Sequence, residues 1–350
     1  MIQTDAIVIG AGPVGLFQVF QLGLLEISCQ VIDALPYPGG QCIELYPDKP
    51  IYDIPGTPRT TGRELTASLL TQIKPFDAPF HMGQVVNQIE TQPDGRFLVA
   101  TSRGQQFVTK VIIIAAGVGA FQPKLLKING LNKFETSQVF YHTSPPDGGT
   151  GHDVLIIGGD DAALSCALDL ASTGTAKSIT LLHRRDVYQA TPALIAQVHA
   201  LSDAKALHLK VGQATGFDEH AGKLTAVHVT GVDGHSQAVQ ASNLLVYLGL
   251  SPKLGPIADW GMAMDRKQVA VDTEKFATSV PGIFAVGDIN SYPGKKKLIL
   301  SGFHECALAA FGAAEIVFPG VRSQLEYTTS STRLHKLLKV AGQDPATNGI

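Results

Sequence analysis

Two stretches of the chain carry one hydrophobic plan. Asp5-Ala-Ile-Val-Ile-Gly10 is a short apolar strand that runs into a glycine turn and then an apolar helix. Asp153-Val-Leu-Ile-Ile-Gly158 repeats it, with Ala162, Leu164, Ala167, Leu168 and Ala171 following at helical spacing. Strands with no polar alternation belong to parallel sheets covered on both faces, so two α/β units are predicted. Between the copies, residues 97–100 and 107–115 read as strands, with polar turns such as Pro93-Asp94-Gly95, and Ala116-Gly117 closes the second run. Residues 225–230 and 244–248 play the same parts in the second unit. Pro281-Gly-Ile-Phe-Ala-Val-Gly-Asp288 is a further strand ending at an acid, and a long helix of small residues follows from about Gly302 to Val317.

This order predicts a first domain built from both ends of the chain, residues 1–117 and 285–350. A second domain, 118–284, is inserted into it, with crossings near 118 and 284. The tail, 325–340, begins as a polar segment, after which Leu334, Leu337 and Leu338 give one face of a short basic helix. Residues 341–350 are expected to be disordered.

Composition narrows the class. Of 350 residues, 45% are hydrophobic and 16% charged, which is enough apolar material for packed cores. The net charge of −3 supplies no positive field for nucleic acid or an anionic membrane. The four cysteines (Cys29, Cys42, Cys166, Cys306) form no Cys-x-x-Cys pair, and the eleven histidines show no ligand spacing, so no metal site is expected. The most apolar run, 111–121, is too short to span a bilayer. The N-terminus has no basic region and enters a strand at once, so a cytoplasmic protein without a signal peptide is expected.

Gly10-Ala11-Gly12-Pro13-Val14-Gly15 is a dinucleotide-binding fingerprint. Gly10 makes the tight turn, Gly12 lets backbone approach a pyrophosphate, and Gly15 packs helix on strand. The phosphates then meet the positive end of the helix. Asp33, closing the next strand, is placed to bond a ribose hydroxyl. The fold class predicted is therefore α/β, with two Rossmann-like three-layer domains. Pro38-Gly-Gly-Gln-Cys42 follows, where the glycine pair allows close approach along an extended cofactor and Gln41 offers an amide.

From about residue 3 to 332 the chain resembles the ferredoxin/flavodoxin–NADP reductases of the thioredoxin-reductase-like type. The resemblance rests on Gly39-Gly40-Gln41, Leu45-Tyr46-Pro47 with Ile51-Tyr52-Asp53, Ala285-Val-Gly-Asp288, and Tyr327-Thr-Thr-Ser330. It implies a bound FAD held by Asp33, Gly40 and Gln41, with Tyr46 stacked on one flavin face. It also implies that Gly287-Asp288 binds the ribityl chain, that Val86 and Phe121 line the site, that Tyr327 covers the other face and that the Thr329 hydroxyl reaches the ring. A tyrosine suits such stacking, having a flat face and a polar tip. Asp288 is expected to precede a helix whose positive end faces the flavin. In related enzymes this tail crosses to a partner subunit, so a homodimer is implied. Ordinary packing of Tyr46 in a proline-rich loop stays open on the residues alone, as does a loosely held polar tail.

Thioredoxin reductases carry a redox Cys-x-x-Cys before the second glycine motif. Here that stretch is Tyr141-His-Thr-Ser-Pro-Pro-Asp-Gly-Gly-Thr-Gly-His152, with no cysteine. Electrons are thus expected to pass from flavin to an outside acceptor without a thiol relay, and no side chain is assigned as a catalyst. Cys42, which lacks a partner thiol, reads as a packed small residue.

The second fingerprint departs from the family pattern Gly-Gly-Gly-Asp-Ser-Ala. It reads Gly158-Gly159-Asp160-Asp161-Ala162-Ala163, and Asp160 stands where backbone should approach the pyrophosphate. A carboxylate there repels phosphate and competes for the helix end, whereas Ala163 still permits close packing. His183-Arg184-Arg185-Asp186 offers two guanidinium groups for the 2′-phosphate of NADPH, while Gln189 replaces a third arginine frequent in the family. An exposed basic turn is the other reading of that pair.

Two functions follow. The first is an oxidoreductase passing electrons between NADPH and ferredoxin or flavodoxin. Lys295, Lys296 and Lys297, with Lys124, Lys127 and Lys133, would offer positive charge to an acidic carrier protein, or they are simply solvated loops. The second is an FAD-binding protein with a degraded nicotinamide site, serving as a redox sensor or using a different donor.

Overall fold

The computed structural model describes residues 1–322 and 324–340, with the side chains of Phe121 and Pro252 outside the description. The disorder expected of 341–350 lies outside the described residues. Among these, the α-helices are α1 (Pro13–Leu24), α2 (Gln41–Leu45), α3 (Gly62–Ile73), α4 (Asp161–Thr173), α5 (Pro192–Asp203), α6 (Ile299–Val317) and α7 (Thr332–Leu337).

The chain divides into two compact units. The first comprises Met1–Ala120 with Pro252–Ile350, the second Phe121–Ser251. The first crossing falls close to the expected 118. The second lies at 251/252 and not near 284. Nothing in the pattern of residues 252–284 marks them as belonging to the first unit, but their pairing does. The strand Gln268–Ala270 joins Met264–Asp265 on one side and Asn290–Ser291 on the other. Ile283–Ala285 then lies parallel to Gln106–Ile114 in the main sheet of the first unit.

That sheet runs in the order Phe80–His81, Cys29–Ile32, Ile2–Ile9, Gln106–Ile114, Phe97–Thr101, Val86–Thr91. Its central strands are parallel, with Ile7 opposite Gln30 on one side and Ile112 on the other. Both faces are covered, as unbroken apolar strands require. Val8, Val111 and Ile113 pack with α1, α3 and α6, whereas Ile7, Ile112 and Ile114 pack with Ile257, Val269 and Ile289. By length and composition α6 would span a membrane. Instead it is a core helix, with Cys306, Ala309, Ala310, Ala313 and Ala314 fully buried.

In the second unit Asp153–Gly158 lies at the centre of a five-stranded sheet. The order is Val139–Tyr141, Asn243–Tyr247, Asp153–Gly158, Ser178–His183, His208–Val211, and every pairing is parallel. Residues 213–220, 223–230 and 236–240 form a separate antiparallel sheet. The strand predicted at 225–230 belongs there, although the one at 244–248 joins the parallel sheet. Like the first, this unit buries two clusters of its own, one around Leu155 and Val227, the other around Ile156 and Leu164.

Candidate functional site

In the first unit the site is built where the first strand meets α1. Gly10 has φ +111°, and a Cβ there would lie 2.4 Å from the Ala115 carbonyl oxygen, so only glycine fits. A Cβ on Gly15 would strike the carbonyl of Gly10, which is the close helix–strand contact the fingerprint predicts. Gly12 is the N-cap of α1. It is extended, no side chain caps the helix, and Pro13 follows at the first helical position. The helix start therefore keeps its positive end for a bound anion.

The second glycine pair meets the first. Gly39 donates its N–H to the Ala11 carbonyl at 2.8 Å. Gly40 has φ +53°, and a Cβ on it would come within 2.9 Å of the Gly12 Cα. Two backbones thus lie against each other with no side chain between them, a cradle for a pyrophosphate. Asp33 is fixed beside it: Ala11 N–H donates to Oδ2 at 2.5 Å and Leu35 N–H to Oδ1 at 2.7 Å. Burial pushes its carboxyl up and the two amides pull it down. Each oxygen keeps a lone pair for a ribose hydroxyl.

Gln41 opens α2, and its amide nitrogen lies 3.0 Å from where a Cβ on Gly117 would be. Tyr46 caps the other end of α2 and is half-buried. Its hydroxyl accepts from the Cys42 thiol at 3.6 Å. The phenol is held well above its usual range, first by burial, then by Cys42 and by the negative charges of Asp288 and Asp53. Tyr46, Cys42 and Asp288 therefore share one region. Asp288 lies on a one-turn helix, Gly287–Ile289, and α6 begins only at Ile299. The long helix expected from about Gly302 thus begins three residues earlier, and the intervening residues separate it from Asp288.

Val86 is 3% exposed and packs with Ile7, Ile9 and Ile32. The Phe121 side chain lies outside the description. Tyr327 is 68% exposed and Thr329 is also exposed. The tail is nonetheless anchored. Arg333 pairs with Glu326 and Glu26 and donates to the Leu24 carbonyl at the C-terminal end of α1, and Leu334 is buried.

Four residues of this region were not legible as a group: Glu305, Lys295, Asn290 and Tyr292. The Glu305 side chain, fully buried in α6, accepts from the other three, and the Lys295 side chain is 7% exposed. A carboxylate in an apolar, small-residue helix was the available signal, since such a group is seldom buried unpaired. This also corrects the lysine reading. Lys295 is taken up internally, and Lys133 pairs with Glu219 beside Phe134 and Phe217. Lys124, Lys127, Lys296 and Lys297 are exposed.

In the second unit Asp160 is the N-cap of α4. Its Oδ1 accepts from the Ala163 N–H at 3.0 Å, so the carboxylate takes a helix-end donor that a pyrophosphate would use. Asp161 Oδ1 accepts from Thr191 N–H at 2.8 Å. Gly158 is needed for space, because a Cβ would come within 2.6 Å of the Ala163 Cβ. The His183 ring lies against Gly159, and burial, then Arg184 and Arg185, hold its imidazole below the usual range. Arg184 and Arg185 are exposed, and neither makes an ion pair among the described residues. Gln189 acts through its backbone, donating N–H to the Gly159 carbonyl at 2.7 Å.

All four thiols are buried. Burial pushes Cys29 up to about 12 and raises the other three.

Residues 4–307 match the family model described as pyridine nucleotide-disulphide oxidoreductase. A ferredoxin–NADP reductase of Polaromonas sp. (strain JS666) is 61% identical over 97% of this chain and 93% of its own. One from Albidiferax ferrireducens is 60% identical, covering 97% and 96%. Among solved structures, the thioredoxin reductase of Lactococcus lactis is 26% identical with a TM-score of 0.55, covering 90% of this chain and 99% of that one. The chain therefore belongs to the pyridine nucleotide-disulphide oxidoreductase family, among its ferredoxin–NADP reductases of thioredoxin-reductase-like fold.

Proposed function

We propose that the chain transfers electrons between NADPH and ferredoxin or flavodoxin through FAD held by the first unit. The observation that carries the FAD assignment is the cradle of Gly12 against Gly40 at the uncapped start of α1. Gly10, Gly12, Gly15 and Gly40 would admit the pyrophosphate, Asp33 a ribose, Gln41 and Asp288 the remaining polar length, and Tyr46 a flavin face. When bound, FAD supplies two-electron acceptance of hydride and one-electron release. The protein's part is to hold and orient. Its buried thiols take no share, which fits direct delivery to an outside carrier.

Arg184 and Arg185 would grip the 2′-phosphate of NADPH. Replacing both with alanine is expected to lower the preference for NADPH over NADH about tenfold or more, read as the ratio of kcat/KM for the two. An unchanged ratio removes that assignment.

Asp160 favours a second reading, a flavoprotein whose nicotinamide site has decayed, because its carboxylate already caps α4. Anaerobic titration with NADPH, followed by the visible absorbance of the flavin, separates the two. Bleaching is expected. Its absence at high NADPH would leave the decayed site as the better reading.

The tail supports a homodimer. Its contacts through Arg333 lie at the C-terminal end of α1, whereas the cradle is at the N-terminal end. The exposed Tyr327 and Thr329 would then serve a partner's flavin. Sedimentation is expected to give a dimer, and removing residues 325–350 to alter the flavin spectrum without releasing the cofactor.

A further inference from the structure

Gly287, the residue before Asp288, has both its peptide groups held by the two members of one buried ion pair. Its N–H donates to Glu305 Oε2 at 2.6 Å, and its carbonyl accepts from Lys295 Nζ at 2.9 Å. Lys295 and Glu305 are also bonded to each other. The remaining capacity of Glu305 is filled by Asn290 Nδ2 at 2.8 Å and the Tyr292 hydroxyl at 2.9 Å. On the far side, Gly287 lies against Val14 of the fingerprint helix, and a Cβ would come within 3.2 Å of that side chain. The next peptide is fixed too, since Gln268 Nε2 donates to the Asp288 carbonyl at 3.1 Å.

A buried ion pair is seldom needed for stability alone, since well-packed apolar residues of similar volume serve as well or better. What apolar residues lack is an acceptor for one peptide N–H and a donor for the same residue's carbonyl. The Glu305–Lys295 pair supplies both at one point. Gly287, at φ +81°, is in a conformation that favours glycine and gains nothing from a side chain of its own. The orientation of the turn, and with it the direction of the Asp288 carboxylate, therefore depends on this pair.

We propose that Lys295 and Glu305 are positioning residues that clamp the Gly287–Asp288 turn and so aim Asp288 at the cofactor. The inference rests on the reading that this unit binds FAD. Neither side chain needs to touch the cofactor, because both act through the turn.

The test is a double-mutant cycle in FAD affinity, read as flavin fluorescence recovered on dilution of the full-length holoprotein. One arm is Lys295→Met with Glu305→Leu, the other Asp288→Asn. The charge-free pair is expected to weaken FAD binding about tenfold or more and to shift the visible bands of the flavin that remains. In the Asp288→Asn background the same pair is expected to add little further loss. Restoring the acceptor alone, with Lys295→Met and Glu305→Gln, is expected to recover part of the affinity, because the Gly287 carbonyl still lacks the Lys295 donor. Equal losses in both backgrounds, or no loss and an unmoved spectrum, overturn the clamp. If the charge-free pair does not fold, Tyr292→Phe, which deletes one bond to Glu305, takes its place in the cycle. The expected loss is then roughly threefold, again only when Asp288 is intact. A wild-type chain that binds no FAD sinks the underlying reading instead, so the two failures are distinguishable.

Discussion

A Gly12→Asp variant is expected to fold as the parent chain does and to purify without FAD. Gly12 and Asp160 hold the same place, each the N-cap of the helix after a fingerprint strand, and their backbones are alike. Gly12 has φ −72° and ψ 178°, Asp160 φ −102° and ψ 177°. An aspartate at 12 therefore meets no backbone strain. It meets little crowding either, since a Cβ there has only the Gly40 Cα, at 3.9 Å, within reach. As an N-cap it adds a few tenths of a kcal/mol to the helix. It also sets a carboxylate at the helix start proposed to take the diphosphate. Two unit charges about 4 Å apart near a protein surface repel by about 4 kcal/mol, and screening reduces that figure. A loss of FAD affinity of about a hundredfold is the expected outcome, read from the flavin-to-protein absorbance ratio after purification. The thermal midpoint of the stripped variant should match that of the stripped parent. Retention of FAD at parental levels would remove the α1 N-terminus from the phosphate site.

The reciprocal change is expected to help the other unit. Asp160→Gly frees the Ala163 N–H and removes one negative charge from the start of α4, leaving Asp161 engaged with Thr191. Losing the cap costs a few tenths of a kcal/mol, since glycine is nearly as good an N-cap. Lower repulsion is expected to tighten NADPH about tenfold, a gain of about 1.4 kcal/mol set by the same Coulomb estimate after screening. Calorimetric titration with NADP+ measures it. If affinity does not change, the cap is not what limits nicotinamide binding.

Much of this was legible in advance, for a physical reason. An apolar strand with no polar alternation, closed by glycine and followed by a small-residue helix, leaves few other folds available, and it occurs twice. Asp33 was legible because a strand end fixes where its carboxylate sits. Asp160 was noticed as a charge in the wrong place, and the structure adds that it caps its own helix through Ala163. The second crossing was not legible. Residues after 252 join the first unit through short strands of two or three residues, such as Met264–Asp265 and Gln268–Ala270, too brief for any periodicity to show. Lys295 was misread for a related reason. It stands in Gly-Lys-Lys-Lys, where its neighbours are exposed, and only tertiary contact with Glu305 separates it from them.

The burial of the four cysteines also bears on how the protein ages. Mixed-disulfide formation and oxidation to sulfenic acid both begin from an accessible thiolate. A thiol whose pKa is about 12 is ionised in only about one molecule in ten thousand at pH 8. With all four enclosed, peroxide or glutathione disulfide finds no foothold on the native thiols. A catalyst that handles electrons throughout its working life thus keeps its four thiols enclosed, and the sulfur it leaves open to soluble oxidants is thioether, as at the exposed Met1.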